Sequence, residues 1–251
     1  MCGKAAVSNL SWQNIYRWAS TLEAPATLPA DPEQRLNVSP SRLRRKGEPE
    51  SMHWESLPGT YFDGLKHQSC EAIWPYLPSW SAGRLPYLKN GSLLSTANAR
   101  LRERGEPFAP LYMPAWRRDQ RVVVWVSWFY EFDQRVHPKI PWAVLPCRQA
   151  FWPMAALANR VTDQTGHQRM SAAVITVPPN KTLLDIGHHR SPALLHSPGA
   201  VKTWLDGDRD SALGLLRPSP DELMEVTEMP MDIKIPGNEA LALPETLQRR
   251  V

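Results

Sequence analysis

The chain is poor in cysteine: Cys2, Cys70 and Cys147 are the only three in 251 residues, widely spaced and without a C-x-x-C pair. An odd, scattered set of this kind excludes a disulfide framework and offers no zinc cluster, so a reducing cytoplasmic setting is expected, with no metal and no cofactor. Long apolar runs are also missing. Nothing approaches the roughly 18–20 uninterrupted apolar residues of a membrane helix, and the N-terminal stretch lacks the basic-then-apolar layout of a secretory signal. Charge of one sign is not in excess either: 29 Lys and Arg against 25 Asp and Glu leave a net +4, which permits a polyanionic partner without demanding one. There is no internal repeat and no low-complexity tract. With 42% hydrophobic side chains, the length suffices for one sizeable core, and a single domain over residues 1–251 is expected.

What the chain has in quantity is proline, at 25, and tryptophan, at 11. Proline at this density interrupts helices and central strands, so short strands joined by long ordered connections are predicted. Apolar residues at Trp12, Ile15, Tyr16, Ala19 and Leu22 have helical spacing, closed by Pro25 and Pro29. Val122–Val126 is a β-branched run leading into Trp128-Phe129-Tyr130-Glu131-Phe132, a buried strand carrying one acid. Pro141–Leu145, Phe151–Leu157 and Ser171–Val177 read as further strands, followed by a proline turn and Leu183–Arg190, with short helices at Val201–Leu205 and Pro220–Met224. Ser41–Glu55 reads as a polar loop insertion, and residues 206–251 form a C-terminal segment. Strands in succession predict an α+β fold on a largely antiparallel, barrel-like sheet with flanking short helices.

Five groups of residues carry candidate chemistry. Cys2 follows Met1 directly, so loss of one residue leaves a thiol beside a free α-amine. An α-amine of pKa about 7.7–8.0 keeps an appreciable unprotonated fraction near neutrality, unlike a lysine at about 10.4, and forms Schiff bases, after which the thiolate can close a five-membered thiazolidine; a buried, inert cysteine is the plainer alternative. Glu131 lies among aromatics; buried, its carboxyl is raised and suited to proton transfer, whereas at a strand end it would face water. His188 and His189 precede Arg190 and offer a general acid or base, or a structural histidine. Ala97-Asn98-Ala99-Arg100 reads by itself as a turn with a solvated arginine. Basic residues interleave with aromatics at Trp74, Tyr76, Trp80 and Arg84, and again at Trp116, Arg117, Arg118 and Arg121: stacking faces for single-stranded nucleic acid, or core filler of a loop-rich protein.

Taken in order, these fragments resemble the SOS response-associated peptidase (SRAP) family, proteins that crosslink to abasic sites in single-stranded DNA. Met1-Cys2-Gly3 resembles the family's start, and Leu36-Asn37-Val38-Ser39-Pro40 its Y-N-I-A-P segment. Trp74–Trp80 (WPYLPSW) is similar to W-G-L-I-P-S-W, and Asn98-Ala99-Arg100 matches N-A-R. Phe129-Tyr130-Glu131-Phe132 resembles F-Y-E-W, Pro138-Lys139-Ile140-Pro141 the K-x-P turn, and His188-His189-Arg190-Ser191-Pro192 resembles H-x-R-M-P. The resemblance covers Met1 to about Pro198.

It implies Cys2 as nucleophile and crosslinking residue, Asn98 orienting the amine, and Glu131 with His188 as acid–base pair, His189 being a spectator. It further implies DNA contacts at Lys4, Asn37, Trp80, Arg84, Arg100 and Arg190, Trp80 stacking or wedging and the last two arginines holding phosphates. The implied partner is single-stranded DNA bearing abasic sites, met by a monomer that associates with the nucleoid when bound. Capture as a covalent adduct is the first function implied; a cysteine-type (auto)peptidase is the alternative, lyase-type release of the adduct a variant, and a non-catalytic single-strand binding module the third. The chain departs from the family at Lys4 for arginine, Pro75 and Trp128 for glycine and Ser191 for methionine, and in the connections Ala82–Thr96 and Leu101–Pro107.

Overall fold

The computed structural model describes residues 3–40, 55–162, 166–234 and 243–250. In chain order the elements are Lys4–Val7 (β1), Trp12–Trp18 (α1), Arg35–Val38 (β2), Ser56–Phe62 (β3), His67–Ile73 (β4), Asn98–Arg100 (β5), Met113–Arg117 (α2), Arg121–Val126 (β6) and Trp128–Phe132 (β7). They continue with Pro141–Pro146 (β8), Trp152–Thr162 (β9), Gln168–Val177 (β10), Lys181–Asp185 (α3), Ser191–Pro192 (β11), Pro198–Asp206 (α4), Arg209–Gly214 (α5), Met224–Glu228 (β12) and Glu245–Gln248 (α6). One-turn 3-10 helices lie at Ser79–Ser81, Asp221–Leu223 and Met231–Lys234.

β9, β6, β3, β4 and β10 pair edge to edge and β10 returns to β9, so five strands close into a barrel without an open edge. Every pairing in the ring is antiparallel except β4 with β10, which run parallel at Met170↔Ala72 and Ser171↔Ile73. β10 outruns β4. Beyond that point it pairs in parallel with β5, through Val174↔Asn98, Ile175↔Ala99 and Thr176↔Arg100, and its tip pairs with β11. A second sheet of order β12-β8-β7-β1-β2 is antiparallel throughout. The fold is therefore the α+β, largely antiparallel, barrel-like arrangement that the strand succession predicts.

Alternation along β1 and β7 decides which side chains face the barrel. Ala5, Val7 and Phe129 join the main core with Val122–Val126 and Trp152, while Ala6, Trp128 and Tyr130 face the other way and pack with Met229, Ile233 and Leu247. The C-terminal segment thus adds an edge strand and covers the outer face of the second sheet. Of the expected loop Ser41–Glu55, all but Glu55 lies outside the described residues.

Three elements differ from expectation. The helix starting at Trp12, capped by the Ser11 hydroxyl accepting from Asn14 N at 3.1 Å, ends at Trp18; Ala19 and Leu22 keep the apolar spacing because a turn, Leu22 N to Ala19 O at 2.9 Å, buries both. Pro220–Met224 makes one 3-10 turn and then turns into β12. Asn98–Arg100 is a strand, since its backbone finds partners on β10 that local sequence does not show.

α4 seals the barrel wall. Trp204 is fully buried, donates its indole N–H to Val122 O at 3.0 Å and stacks on Trp116 with centroids 6.2 Å apart. Trp204→Ala should therefore cost about 3–5 kcal/mol of unfolding free energy in urea titration; a loss below about 1 kcal/mol would show that α4 contributes little to the core.

Candidate active site and nucleic-acid interface

β7 turns Glu131 toward the same side as Phe129, into the space between the two sheets, and Glu131 has no exposed surface. His188 reaches it from the segment after α3. Its Nε2 lies 2.9 Å from Glu131 Oε2, with 1% and 0% of the two side chains exposed. His188 Nδ1 is 3.1 Å from the Phe132 carbonyl, which can only accept, so Nδ1 carries a hydrogen. The short contact at Nε2 then needs one further proton, shared between imidazole and carboxyl. Acid with neutral imidazole and carboxylate with imidazolium have the same net charge, so the proton can move within the pair without changing the charge buried there.

The approach to His188 depends on Gly187, whose φ is 76°. A Cβ at that position would meet Asp133 Oδ1 at 2.0 Å. Asp133 is itself clamped by Arg135, at 3.0 Å through Nε and 2.8 Å through Nη2, and those hydrogen bonds hold its carboxyl below the usual carboxylate range. This Asp133, Arg135 and Gly187 support was not singled out from sequence; the glycine directly before the histidine pair is the one signal that pointed to it.

Beside the pair lies a basic rim. Arg190, 5% exposed, donates Nη2 to the carbonyl of Thr176 and to its hydroxyl at 3.4 Å, while its Nε has no hydrogen-bond partner among the described residues. Burial, and then the like charge of Arg100, push the Arg190 guanidinium down to about 10. Arg100 is exposed and stands opposite the same Thr176, because β5 pairs with β10 there. Asn98, two residues earlier and half-buried, shares the Arg100 face of β5, while Ala99 enters the core; Tyr112 donates its hydroxyl to the Asn98 carbonyl at 3.1 Å. His189 is exposed and stacks on His188 at 5.3 Å; burial first, then His188 and Arg100, hold its imidazole below the usual histidine range. Glu131, His188, Arg190, Arg100 and Asn98 are thereby gathered around the end of β10.

Cys2 and Met1 lie outside the described residues. Gly3 is described, and extending the register Lys4↔Tyr130 by one residue sets Gly3 opposite Glu131. Lys4 shares the outward face with Tyr130 and is 8% exposed, its ammonium donating to Asn37 Oδ1 and Ser39 Oγ, both at 2.8 Å. Of the interleaved aromatics, Trp74, Tyr76 and Trp116 are core residues, as is Arg121; Trp80 alone is exposed, at 65%, with Arg84 also exposed. Leu77, three residues before Trp80, is anchored to the barrel by Ser171 Oγ at 3.0 Å and Asn159 Nδ2 at 2.8 Å. Ser171 and Thr176 are five residues apart on β10, so the anchors of the Trp80 platform and the arginine rim are separated by about 17 Å. Among the described residues no group of His, Cys, Asp and Glu could hold a metal ion, and no helix is long and apolar enough to cross a membrane.

Fold and site together define an α+β barrel protein with a fully buried carboxyl–imidazole pair bordered by arginines. The chain belongs to the SOS response associated peptidase (SRAP) family, whose model matches residues 1–235. Membership supports a role connected with DNA damage, and the family's name carries a peptidase-like activity. Solved structures share the fold: a Bacteroides thetaiotaomicron protein at 18% identity and TM-score 0.64, covering 92% of this chain and 93% of that one. A Bordetella bronchiseptica protein follows at 17% identity and TM-score 0.66, covering 92% and 100%. A phage-related protein of the same organism, at 17% identity, reaches TM-score 0.57 and covers 91% and 94%. No curated relative matches the chain.

One titration is measurable apart from any ligand. Burial pushes the Lys4 ammonium down to about 8 from 10.5, with Glu55 opposing the shift. Between those values the unfolded chain holds more protons than the folded one, so folding gains stability as pH rises through that window. The unfolding free energy of the protein relative to Lys4→Met should therefore increase from about pH 8 to about pH 10.5; a difference flat with pH would show that Lys4 titrates as an exposed lysine.

Proposed function

We propose that the protein captures abasic sites in single-stranded DNA as a covalent adduct through Cys2, after removal of Met1. A ring-opened abasic sugar presents an aldehyde. The α-amine of Cys2 adds to its carbon, one water leaves as the Schiff base forms, and the thiolate then adds to the same carbon, closing a thiazolidine that holds both nitrogen and sulfur. Loss of that water needs a proton delivered to the departing hydroxyl, and opening of the sugar hemiacetal needs one at the ring oxygen. A carboxyl and imidazole sharing a proton out of water can supply either; the carboxylate this leaves is reprotonated by the proton that the α-amine nitrogen gives up as the Schiff base forms.

The observation that carries this reading is the Glu131–His188 contact, at 2.9 Å and without exposure, on the strand position facing Gly3. Arg100 and Arg190 supply the complementary argument: two guanidiniums are held near one another, and a phosphate between them would relieve their repulsion. Trp80 offers a ring for a base to stack on. A peptidase reading uses the same thiol against a peptide carbonyl and requires no arginine rim, so nucleic acid is the better match to the surface.

The test is a denaturing gel of protein whose intact mass shows Cys2 as its first residue, mixed with single-stranded DNA containing one abasic site or none. A heat-stable shifted band on the abasic strand alone, absent in Cys2→Ala with binding retained, is the expected result. No band from such protein would sink the reading and bring peptide hydrolysis forward. Glu131→Gln should slow adduct formation by about 100-fold or more while leaving non-covalent binding intact. Arg100→Ala should weaken binding to undamaged strands and lower the slope of log K against log salt by about one; an unchanged slope would remove Arg100 from the phosphate path.

A further inference from the structure

Between Trp80 and Asn98 the chain makes an excursion that the barrel does not need. Its neck is tied by Tyr76 N to Thr96 O at 3.3 Å and by Trp74 Nε1 to Ala97 O at 2.9 Å. Its base is held by Leu85, which packs against Ile73, Leu77 and Val161, and by buried Pro86. Beyond that base it forms a small hairpin: Tyr87 bridges Leu93, Leu88 N donates to Ser92 O at 2.7 Å, and Leu94 N to Pro86 O at 2.9 Å. Asn90 Oδ1 accepts from Ser92 N at 3.0 Å and from its hydroxyl at 2.6 Å, and Gly91 takes φ 79° to close the turn.

The backbone is thus ordered while its large side chains face solvent. Tyr87 and Leu88 are 47% and 46% exposed, alongside exposed Lys89 and, seven residues before Tyr87, exposed Trp80. Exposed aromatic and aliphatic surface on an ordered support marks a place where something docks. Charge says what. No Asp or Glu occurs between Glu71 and Glu103, whereas Arg84, Lys89, Arg100 and Arg102 all fall in that stretch. Rings interleaved with cations and free of carboxylates fit a polyanion with flat faces.

We propose that the Pro86–Leu94 hairpin is a second stacking subsite for single-stranded nucleic acid, with the Tyr87 ring taking a base and Lys89 an adjacent phosphate, on the path that Trp80 begins. This rests on the single-strand reading above and adds to it a base contact remote from the reacting carbon. The adduct chemistry does not need Tyr87, so the subsite sets affinity for the flanking strand.

The experiment measures fluorescence anisotropy of full-length protein with an undamaged single-stranded oligonucleotide and with a strand of equal length whose sugars are all base-free tetrahydrofuran (1′-deoxyribose) phosphates, which cannot open to an aldehyde and so cannot be trapped by Cys2. Tyr87→Ala should weaken binding of the base-bearing strand by about tenfold and leave the base-free strand unchanged, with Tyr87→Phe restoring the wild-type value. Equal loss on both strands would mean that Tyr87 acts through the fold or on the backbone, and unchanged binding of the base-bearing strand would remove the hairpin from the interface; either overturns the subsite. If the wild-type protein binds neither strand, the single-strand reading itself fails, an outcome separate from the other two.

Discussion

The double use of β10 is the constraint on which the rest of the structure depends. Its first half closes the barrel between β9 and β4, and its second half, where β4 has ended, must find another partner for its backbone groups. β5 fills that edge in parallel and β11 joins the tip. Each brings functional side chains with it: β5 carries Asn98 and Arg100, and the turn into β11 carries His188 and Arg190. The Thr176 carbonyl, where these elements meet, accepts from both Leu101 N at 2.9 Å and the Arg190 guanidinium. A site assembled from residues nearly a hundred positions apart is thus a by-product of satisfying one strand's hydrogen bonds.

Two buried charges near that point are handled differently. Glu131 and His188 neutralise one another, so burial costs little as long as the proton stays within the pair. Arg190 lies beside a like charge, with Glu103 opposing weakly, and its affinity for a proton falls accordingly. The first arrangement suits proton transfer, the second suits an incoming anion. Their adjacency across Arg190 and His188 places the proposed chemistry next to the proposed grip on the strand.

Tryptophan divides along the same lines. Trp74, Trp116, Trp125, Trp128, Trp152 and Trp204 fill the two cores, and several donate their indole N–H to a backbone carbonyl, which lets a polar atom be buried without penalty. Trp80 sits on a short 3-10 turn held out from the barrel and, among the described residues, makes no such use of its ring. The basic residues near the aromatics divide too, since Arg121 is buried over the Trp204 ring at 5.8 Å while Arg84 remains in solvent.

The sequence by itself determined what depends on near neighbours. The β-branched run before Trp128 read as a buried strand, the apolar spacing from Trp12 as a helix, and the aromatic flanks of Glu131 offered an acid that burial could make useful. The succession of short strands pointed to an antiparallel barrel-like sheet, and ordered fragments pointed to the family. Tertiary structure alone decided the rest. Asn98–Arg100 looks like a turn because its partner strand lies over seventy residues away, and a parallel pairing leaves no local period to read. Whether Trp74, Tyr76 and Trp116 served core or surface was open for the same reason: periodicity tells faces apart but not which face another element will cover. The Glu131–His188 distance, the clamp behind Gly187 and the loss of solvent around Arg190 arise from register and packing between distant segments, and these are set only when the barrel closes.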